Sequence, residues 1–318
     1  MKAAVVESAG HAPVYKDFAE PQAETGEVAI DVMAAPLSQV TRARASGAHY
    51  SAANTFPFVP GIDGVGRRAD GKLVYFVLPR APFGGMAERT VARESFCVPL
   101  PDGIDAVTAA AMAIPAMSSW MGLKTQARLA AGEVVLINGA TGTSGRLAVQ
   151  IAKRLGAGKV IATGRNKDTL AALKTLGADV VLPLNDDGDA LEADFARAIA
   201  DGGVDVILDY LWGPSAERLL AAIAKSKNTG RAARFVQIGA SGGATIELPY
   251  SVIRSYPLQM IGCGIGSVPY DVMLRSIAES LQAGANGGLV VETRAMPLVS
   301  IAEHWNDTSS TVRTVFVT

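Results

Sequence analysis

The pattern of apolar and polar positions changes character partway along the chain. Up to about residue 116 the apolar runs are short and alternating, as in Glu27-Val28-Ala29-Ile30-Asp31-Val32 and Lys72-Leu73-Val74-Tyr75-Phe76-Val77, with Pro and Gly between them. Period-two runs bounded by turn residues predict half-buried strands, so this stretch reads as a mostly antiparallel β unit. From Val134 the apolar runs become continuous, at residues 134–137, 160–162, 180–182, 204–208 and 235–238. The segments between them carry stripes at helical spacing, such as Leu147, Ile151 and Leu155, then Leu170, Leu173 and Leu176. Strands alternating with one-faced helices predict a parallel sheet covered on both sides. A further strand at 258–263, a helix near 272–282 and a last strand near 311–317 complete the prediction.

One junction in this pattern carries chemistry. The run ending at Asn138 leads into Gly139-Ala140-Thr141-Gly142-Thr143-Ser144-Gly145, and a helix is predicted to begin near Ser144. A glycine-rich turn between a buried strand and a helix is the Rossmann dinucleotide signature. Gly139 allows the tight turn, Gly142 lets backbone N–H groups approach a pyrophosphate, and Gly145 lets the helix pack closely. The phosphate would then face the helix N-terminus, where N–H groups and dipole favour an anion. About twenty residues on, an NAD enzyme places a carboxylate on the ribose 2′-hydroxyl. Here that place reads Gly164-Arg165-Asn166-Lys167. Gly164 is expected to leave room for an added phosphate, and Arg165 and Lys167 to bind it, which selects NADPH. The plainer reading of Arg165 and Lys167 is two solvated charges at a strand end.

Composition narrows the class. The chain has 318 residues and a net charge of −1, long enough for two domains and too neutral for a nucleic-acid or anionic-membrane surface. Its greasiest stretch, residues 109–117, is interrupted by Pro115, which argues against a membrane span. Glu7 arrives before any signal-peptide core develops. The two cysteines, Cys97 and Cys263, lie far apart among apolar residues, so a reducing cytoplasm is expected. His11, His49 and His304 are scattered and read as surface or packing residues.

Several further motifs occur in order: Met1-Lys2-Ala3; Gly26-Glu27-Val28 closing a stretch from Pro21; Pro57-Phe58-Val59-Pro60-Gly61-Ile62-Asp63-Gly64-Val65-Gly66; Gly84-Gly85-Met86-Ala87-Glu88; Val98-Pro99-Leu100-Pro101-Asp102-Gly103; Gln150-Ile151-Ala152-Lys153-Arg154-Leu155-Gly156-Ala157; and Leu176-Gly177-Ala178-Asp179. With the glycine turn, they make the whole chain resemble the zinc-free quinone oxidoreductase branch of the medium-chain dehydrogenase/reductases. The resemblance implies an α/β fold in which a doubly wound Rossmann sheet, residues 117–266, is inserted in a GroES-like, mostly β catalytic domain, residues 1–116 and 267–318. It also implies an active site in the interdomain cleft and a homodimer through the Rossmann edge strand at 258–262.

Site residues follow from the same resemblance. Tyr50, after Ser46-Gly47-Ala48-His49, corresponds to a tyrosine whose phenol donates to the acceptor oxygen. Ser38 stands where relatives carry asparagine and is expected, with Tyr50, to polarise the acceptor as a catalytic residue; Thr41 stands where they carry aspartate, and both are departures at the substrate contacts. Ser118 corresponds to a threonine near the nicotinamide; Ile238, Gly239, Ile265 and Gly266 correspond to backbone running past its ribose and carboxamide. Trp212 is placed either beside the cofactor or in the core, and Arg313 reads as a surface charge. Zinc relatives need cysteine, histidine and carboxylate ligands. Here Ser38 and Gly61-Ile62-Asp63 replace them, so no metal is expected. The expected activity is an NADPH-dependent, zinc-independent reduction of a quinone or α,β-unsaturated carbonyl. Two other readings stay open: a non-catalytic NADPH-binding sensor, and a zinc alcohol dehydrogenase.

Overall fold

Short alternating strands and tight turns build the first of two units into which the chain divides, Met1–Ile114 with Ile277–Thr318; the second is Pro115–Ser276. The computed structural model describes residues 1–48, 55–200, 202–226, 230–307, 309 and 311–318. In the first unit β1 (Lys2–Val5) pairs antiparallel with β2 (Val14–Asp17). Strand β3 (Glu27–Pro36) is followed by helix α1 (Gln39–Ala45) and then by β4 (Asp63–Arg68), β5 (Leu73–Val77), β6 (Arg89–Arg93) and β7 (Cys97–Pro99). These strands pair antiparallel, β4 and β6 on β3, β5 on β4, and β7 on β5. Alternation along them buries one row of side chains, Ile30, Val32, Val74 and Phe76 among them, into a single core.

Helix α2 (Ala106–Met121) runs through Pro115 rather than stopping there, which corrects the sequence expectation of a broken stretch. Proline already holds the helical φ and costs the helix only a local hydrogen bond and some crowding. Burial of the alanine-rich flank, Ala109 to Ala113, offsets that cost. Residues Ala106–Gln126 form the one helix among the described residues that is long and apolar enough to cross a bilayer, and 72% of its apolar window is buried inside the protein. It is packed as a core helix.

The second unit realises the predicted alternation: β8 (Val134–Asn138), α3 (Thr143–Arg154), β9 (Lys159–Gly164), α4 (Lys167–Ala172), β10 (Val180–Pro183), α5 (Gly188–Ile199), β11 (Val206–Asp209), α6 (Gly213–Lys225), β12 (Ala233–Gln237), α7 (Tyr250–Ser255) and β13 (Leu258–Gly262). The strands are parallel in the order β10-β9-β8-β11-β12-β13. That is the doubly wound arrangement, in which strand order reverses between β8 and β11 and opens a crevice at the carboxyl ends. Leu147 and Ile151 of the α3 stripe are buried, as the spacing predicts. Strand β13 ends the sheet with Gln259 and Met260 exposed.

The chain then returns to the first unit through α8 (Tyr270–Gly284), β14 (Glu292–Pro297), α9 (Ile301–His304) and β15 (Val312–Val317). Strand β15 pairs with β3 and with β14, closing a seven-stranded sheet. The fold is therefore α/β, a Rossmann sheet held between two chain segments that together make a mostly β unit. Strand β14 escapes sequence reading because four of its six residues are exposed and its run, Glu-Thr-Arg-Ala-Met-Pro, is half polar.

Candidate functional site

At the end of β8, Gly139 adopts φ +88°, and its N–H donates to Thr163 Oγ1 at 3.0 Å. Ala140 N–H donates to the Thr163 carbonyl at 2.7 Å. The turn is thus pinned to β9 before α3 begins. Gly142 is the N-cap of α3 and offers no side chain to cap it, the arrangement that leaves a helix end receptive to an anion. A Cβ on Gly145 would stand 2.4 Å from Ala140 Cα and 2.5 Å from the Gly139 carbonyl oxygen. Backbone cannot yield by that much, so glycine there is what lets the helix close onto the turn. At Gly164 the geometry gives a second reason for glycine. A Cβ would lie 2.2 Å from Thr141 Cγ2, so the Cβ direction of Gly164 is occupied by the Thr141 methyl group.

Below the turn lies a buried polar network that sequence reading missed. Thr163 Oγ1 donates to Asn138 Oδ1 at 2.9 Å, and Asn138 Nδ2 donates to Asp209 Oδ1 at 2.8 Å and to Ser215 Oγ at 2.9 Å. Asp209 also accepts the N–H groups of Leu211 at 3.2 Å and Trp212 at 3.0 Å. Burial pushes its carboxyl up to about 6, against the hydrogen bonds that favour the anion. The network joins β8, β9 and β11 and holds Trp212 at φ +58°, a conformation costly for a large side chain. The Trp212 ring meets Phe235 edge-on at 6.1 Å, so it packs on the core. A polar Asn and an Asp closing two otherwise apolar strand runs were the available signal.

The remaining positions of this unit follow the carboxyl ends of β9, β12 and β13, except Ser118, which lies on α2. Ile238 and Gly239 both donate their N–H to the Asp209 carbonyl, at 2.8 and 3.1 Å. Ile265 bridges to Val268, and Gly266 has φ +99°. Ser118 Oγ donates to the Pro115 carbonyl at 2.8 Å. Its neighbour Ser119 shares a 2.8 Å hydrogen bond with Tyr210 Oη, whose pKa burial raises above the usual range. Arg165 and Lys167 are exposed just beyond β9, and neither forms an ion pair among the described residues. Asn166 between them caps α4 through a 2.9 Å bond from Thr169 N–H.

In the first unit Ser38 is buried at 3% exposure and is the N-cap of α1. Its Oγ accepts from Thr41 N–H at 2.9 Å and bonds Thr41 Oγ1 at 2.7 Å. Tyr50, with His49, lies outside the described residues. Asp63 is buried at 1% exposure; Tyr75 Oη donates to its Oδ2 at 2.7 Å, while its Oδ1 has no partner. Burial lifts this carboxyl to about 7, against the Tyr75 hydrogen bond and the charge of Arg313. Arg313 is not the surface charge expected: its Nε is buried without a partner, and burial lowers its pKa. Non-local strand pairing beside Asp63 draws it in. Among the described residues no three His, Cys, Asp or Glu side chains are placed to hold a metal ion.

Residues 145–279 match the family model described as zinc-binding dehydrogenase. The chain is 28% identical to a protein of Emericella nidulans named "Probable NADPH-dependent quinone reductase", over 93% of both chains. Its structure resembles the quinone oxidoreductase of Thermus thermophilus, also solved with NADPH, at a TM-score of 0.82, 27% identity and full coverage of both chains. A mycobacterial quinone oxidoreductase shares the fold at a TM-score of 0.86, 21% identity and full coverage of both chains. Doubly wound sheet, glycine turn and mostly β unit are those of an NADPH-dependent oxidoreductase. The matches support the quinone oxidoreductase branch of the medium-chain dehydrogenase/reductases as the group this chain resembles. Zinc, which the family description names, does not fit the described residues: Asp63 is a single carboxyl committed to Tyr75, and thiolate and imidazole partners are missing beside it.

Proposed function

We propose that this protein is an NADPH-dependent reductase that delivers hydride to a quinone or an α,β-unsaturated carbonyl without zinc. The observation that carries the reading is the β8–α3 turn, where Gly139 has φ +88°, Gly145 has backbone contacts that only glycine tolerates, and Gly142 leaves the helix end uncapped. Bound NADPH would supply the hydride; the chain supplies position, charge and hydrogen bonds. Residues Gly139 to Ser144 hold the pyrophosphate through backbone N–H groups. Arg165 and Lys167 bind the 2′-phosphate from the exposed end of β9, Arg165 with a fork matched to it. Ser118, Ile238, Gly239, Ile265 and Gly266 border the nicotinamide end.

Tyr50 donates a hydrogen bond to the oxygen on which charge develops. Ser38 acts through α1, whose start its hydroxyl caps. Quinones and enones are electrophilic enough that such donors replace a Lewis acid. The exposed edge of β13 supports a homodimer in which this strand pairs with its copy. The two cysteines, both free thiols, fit the cytoplasmic location expected.

The test uses protein dialysed against a chelator. It is titrated with NADPH and NADH by fluorescence, then given 1,4-benzoquinone and an enone while loss of reduced nicotinamide is followed. The expected result is preference for NADPH and acceptor-dependent oxidation, with Tyr50→Phe lowering kcat about 10- to 100-fold at unchanged NADPH affinity. Tight NADPH binding with no turnover on any acceptor would favour the non-catalytic reading. Recovery of activity only on adding zinc would overturn the metal-free one.

A further inference from the structure

The crevice of the second unit opens where strand order reverses between β8 and β11. With the 2′-phosphate at the end of β9, on one side of β8, the nicotinamide half of a bound dinucleotide extends over the ends of β11, β12 and β13 on the other side. Tyr210 is the first residue past β11. Its hydroxyl shares a 2.8 Å hydrogen bond with Ser119 Oγ of α2 and interacts with the Ser118 hydroxyl as well. Both serines donate to the Pro115 carbonyl, Ser118 at 2.8 Å and Ser119 at 3.2 Å. The Tyr210 carbonyl reaches the next strand end, accepting from Ser241 Oγ at 3.0 Å and from Ser241 N–H at 3.4 Å. A Cβ on Gly239 would stand 2.6 Å from that same carbonyl oxygen, so the chain leaving β12 closes on Tyr210 because residue 239 is glycine. Cys263, one residue past β13, places Sγ 3.9 Å from the Ser118 carbonyl.

The phosphate end is held by other means. Gly139 and Ala140 are pinned to Thr163 on β9, at 3.0 and 2.7 Å. Toward that turn the serine pair offers only a long contact, Ser119 Oγ to the Ser144 carbonyl at 3.4 Å. We infer that Tyr210 is a positioning residue for the nicotinamide: its hydroxyl fixes Ser118 and Ser119 against the ends of β11 and β12, so that the ring meets a preformed wall while the phosphates are bound independently. A wall ordered in advance spares the ligand the cost of ordering it on binding. The inference rests on the NADPH reading for the identity of the ligand, and on these contacts for the division between its two ends.

Tyr210→Phe deletes the hydroxyl and keeps the ring, and Ser119 retains two carbonyl acceptors, so no buried donor is stranded. By calorimetry, wild type and variant are titrated with NADPH and with 2′-phospho-ADP-ribose, which carries every group of the cofactor except the nicotinamide. In the variant NADPH affinity should fall about tenfold while that of the fragment stays within about twofold. The emission of NADPH bound at saturation should also drop toward that of the free cofactor, because the ring is less constrained. Ser119→Ala should reproduce both effects, and the double variant should lose little more than either single one, since the two side chains act through one bond. An equal loss for both ligands would make Tyr210 a support of the whole crevice and overturn the inference, as would an unchanged NADPH affinity; either result spares the NADPH reading. Failure of the wild type to bind either ligand removes that reading, and the inference with it.

Discussion

Each unit buries one carboxyl beside its candidate site, and the two are treated oppositely. Asp209, in the Rossmann unit, is ringed by donors: Asn138 Nδ2 and the N–H groups of Leu211 and Trp212. Asp63, in the mostly β unit, receives one donor, the Tyr75 hydroxyl, and keeps a buried oxygen with none. Desolvation raises both, Asp209 to about 6 and Asp63 to about 7. The difference lies in what each carboxyl organises. Asp209 orders backbone around the start of α6 and, through Asn138 and Thr163, the dinucleotide turn. Asp63 organises little beyond Tyr75, and its burial costs more than its contacts return.

The sharpest break of this contrast is Asp209→Ala. It removes the acceptor of three donors at once, leaving the half-buried N–H groups of Leu211 and Trp212 without it, and should destabilise the protein by about 3–5 kcal/mol in urea unfolding, with NADPH affinity falling as the turn loosens. A cost no greater than that of Asp63→Ala would erase the distinction. The second effect is in pH. Asp63 has a folded pKa raised from 3.8 to about 7, so the native state holds a proton that the unfolded chain has released. The associated stability is complete below about pH 4 and is lost as pH rises through 7. Asp63→Asn should therefore gain stability relative to wild type across that window, on the order of 3 kcal/mol, read from paired unfolding curves at several pH values. A flat difference would mean that the carboxyl titrates normally. The smallest effect is on the exposed side of the Rossmann unit: Arg165→Ala should narrow the NADPH to NADH affinity ratio by about tenfold, measured by fluorescence titration. An unchanged ratio would return Arg165 to the status of a solvated charge.

What could be read from the sequence was local. The run into Asn138, the glycine turn and the α3 stripe lie within about one supersecondary unit, and their periods carry the fold directly. Asp209 pairs with a residue 71 positions away, and that meeting depends on β11 lying beside β8, a strand order no single run announces. Tyr75 reaches Asp63 across the β4–β5 ladder, where the register sets Asp63 opposite Val77. Arg313 reads as a surface charge because its strand follows polar residues; one sheet partner of that strand, β3, comes from the other end of the chain. Pro115 misleads for a different reason. A breaker rule weighs the local backbone cost, whereas a buried alanine-rich helix is held by its packing.

The contact between Gly164 and the Thr141 methyl group bears on how coenzyme choice could be rewritten in this scaffold. Installing the acidic residue that selects NADH is normally treated as a change at the end of the second strand alone. Here position 164 and position 141 occupy one volume, so the two behave as a single two-letter code: any side chain at the first demands a smaller one at the second. Redesign toward the other coenzyme would have to substitute them together, because a side chain added at 164 alone would meet the Thr141 methyl group.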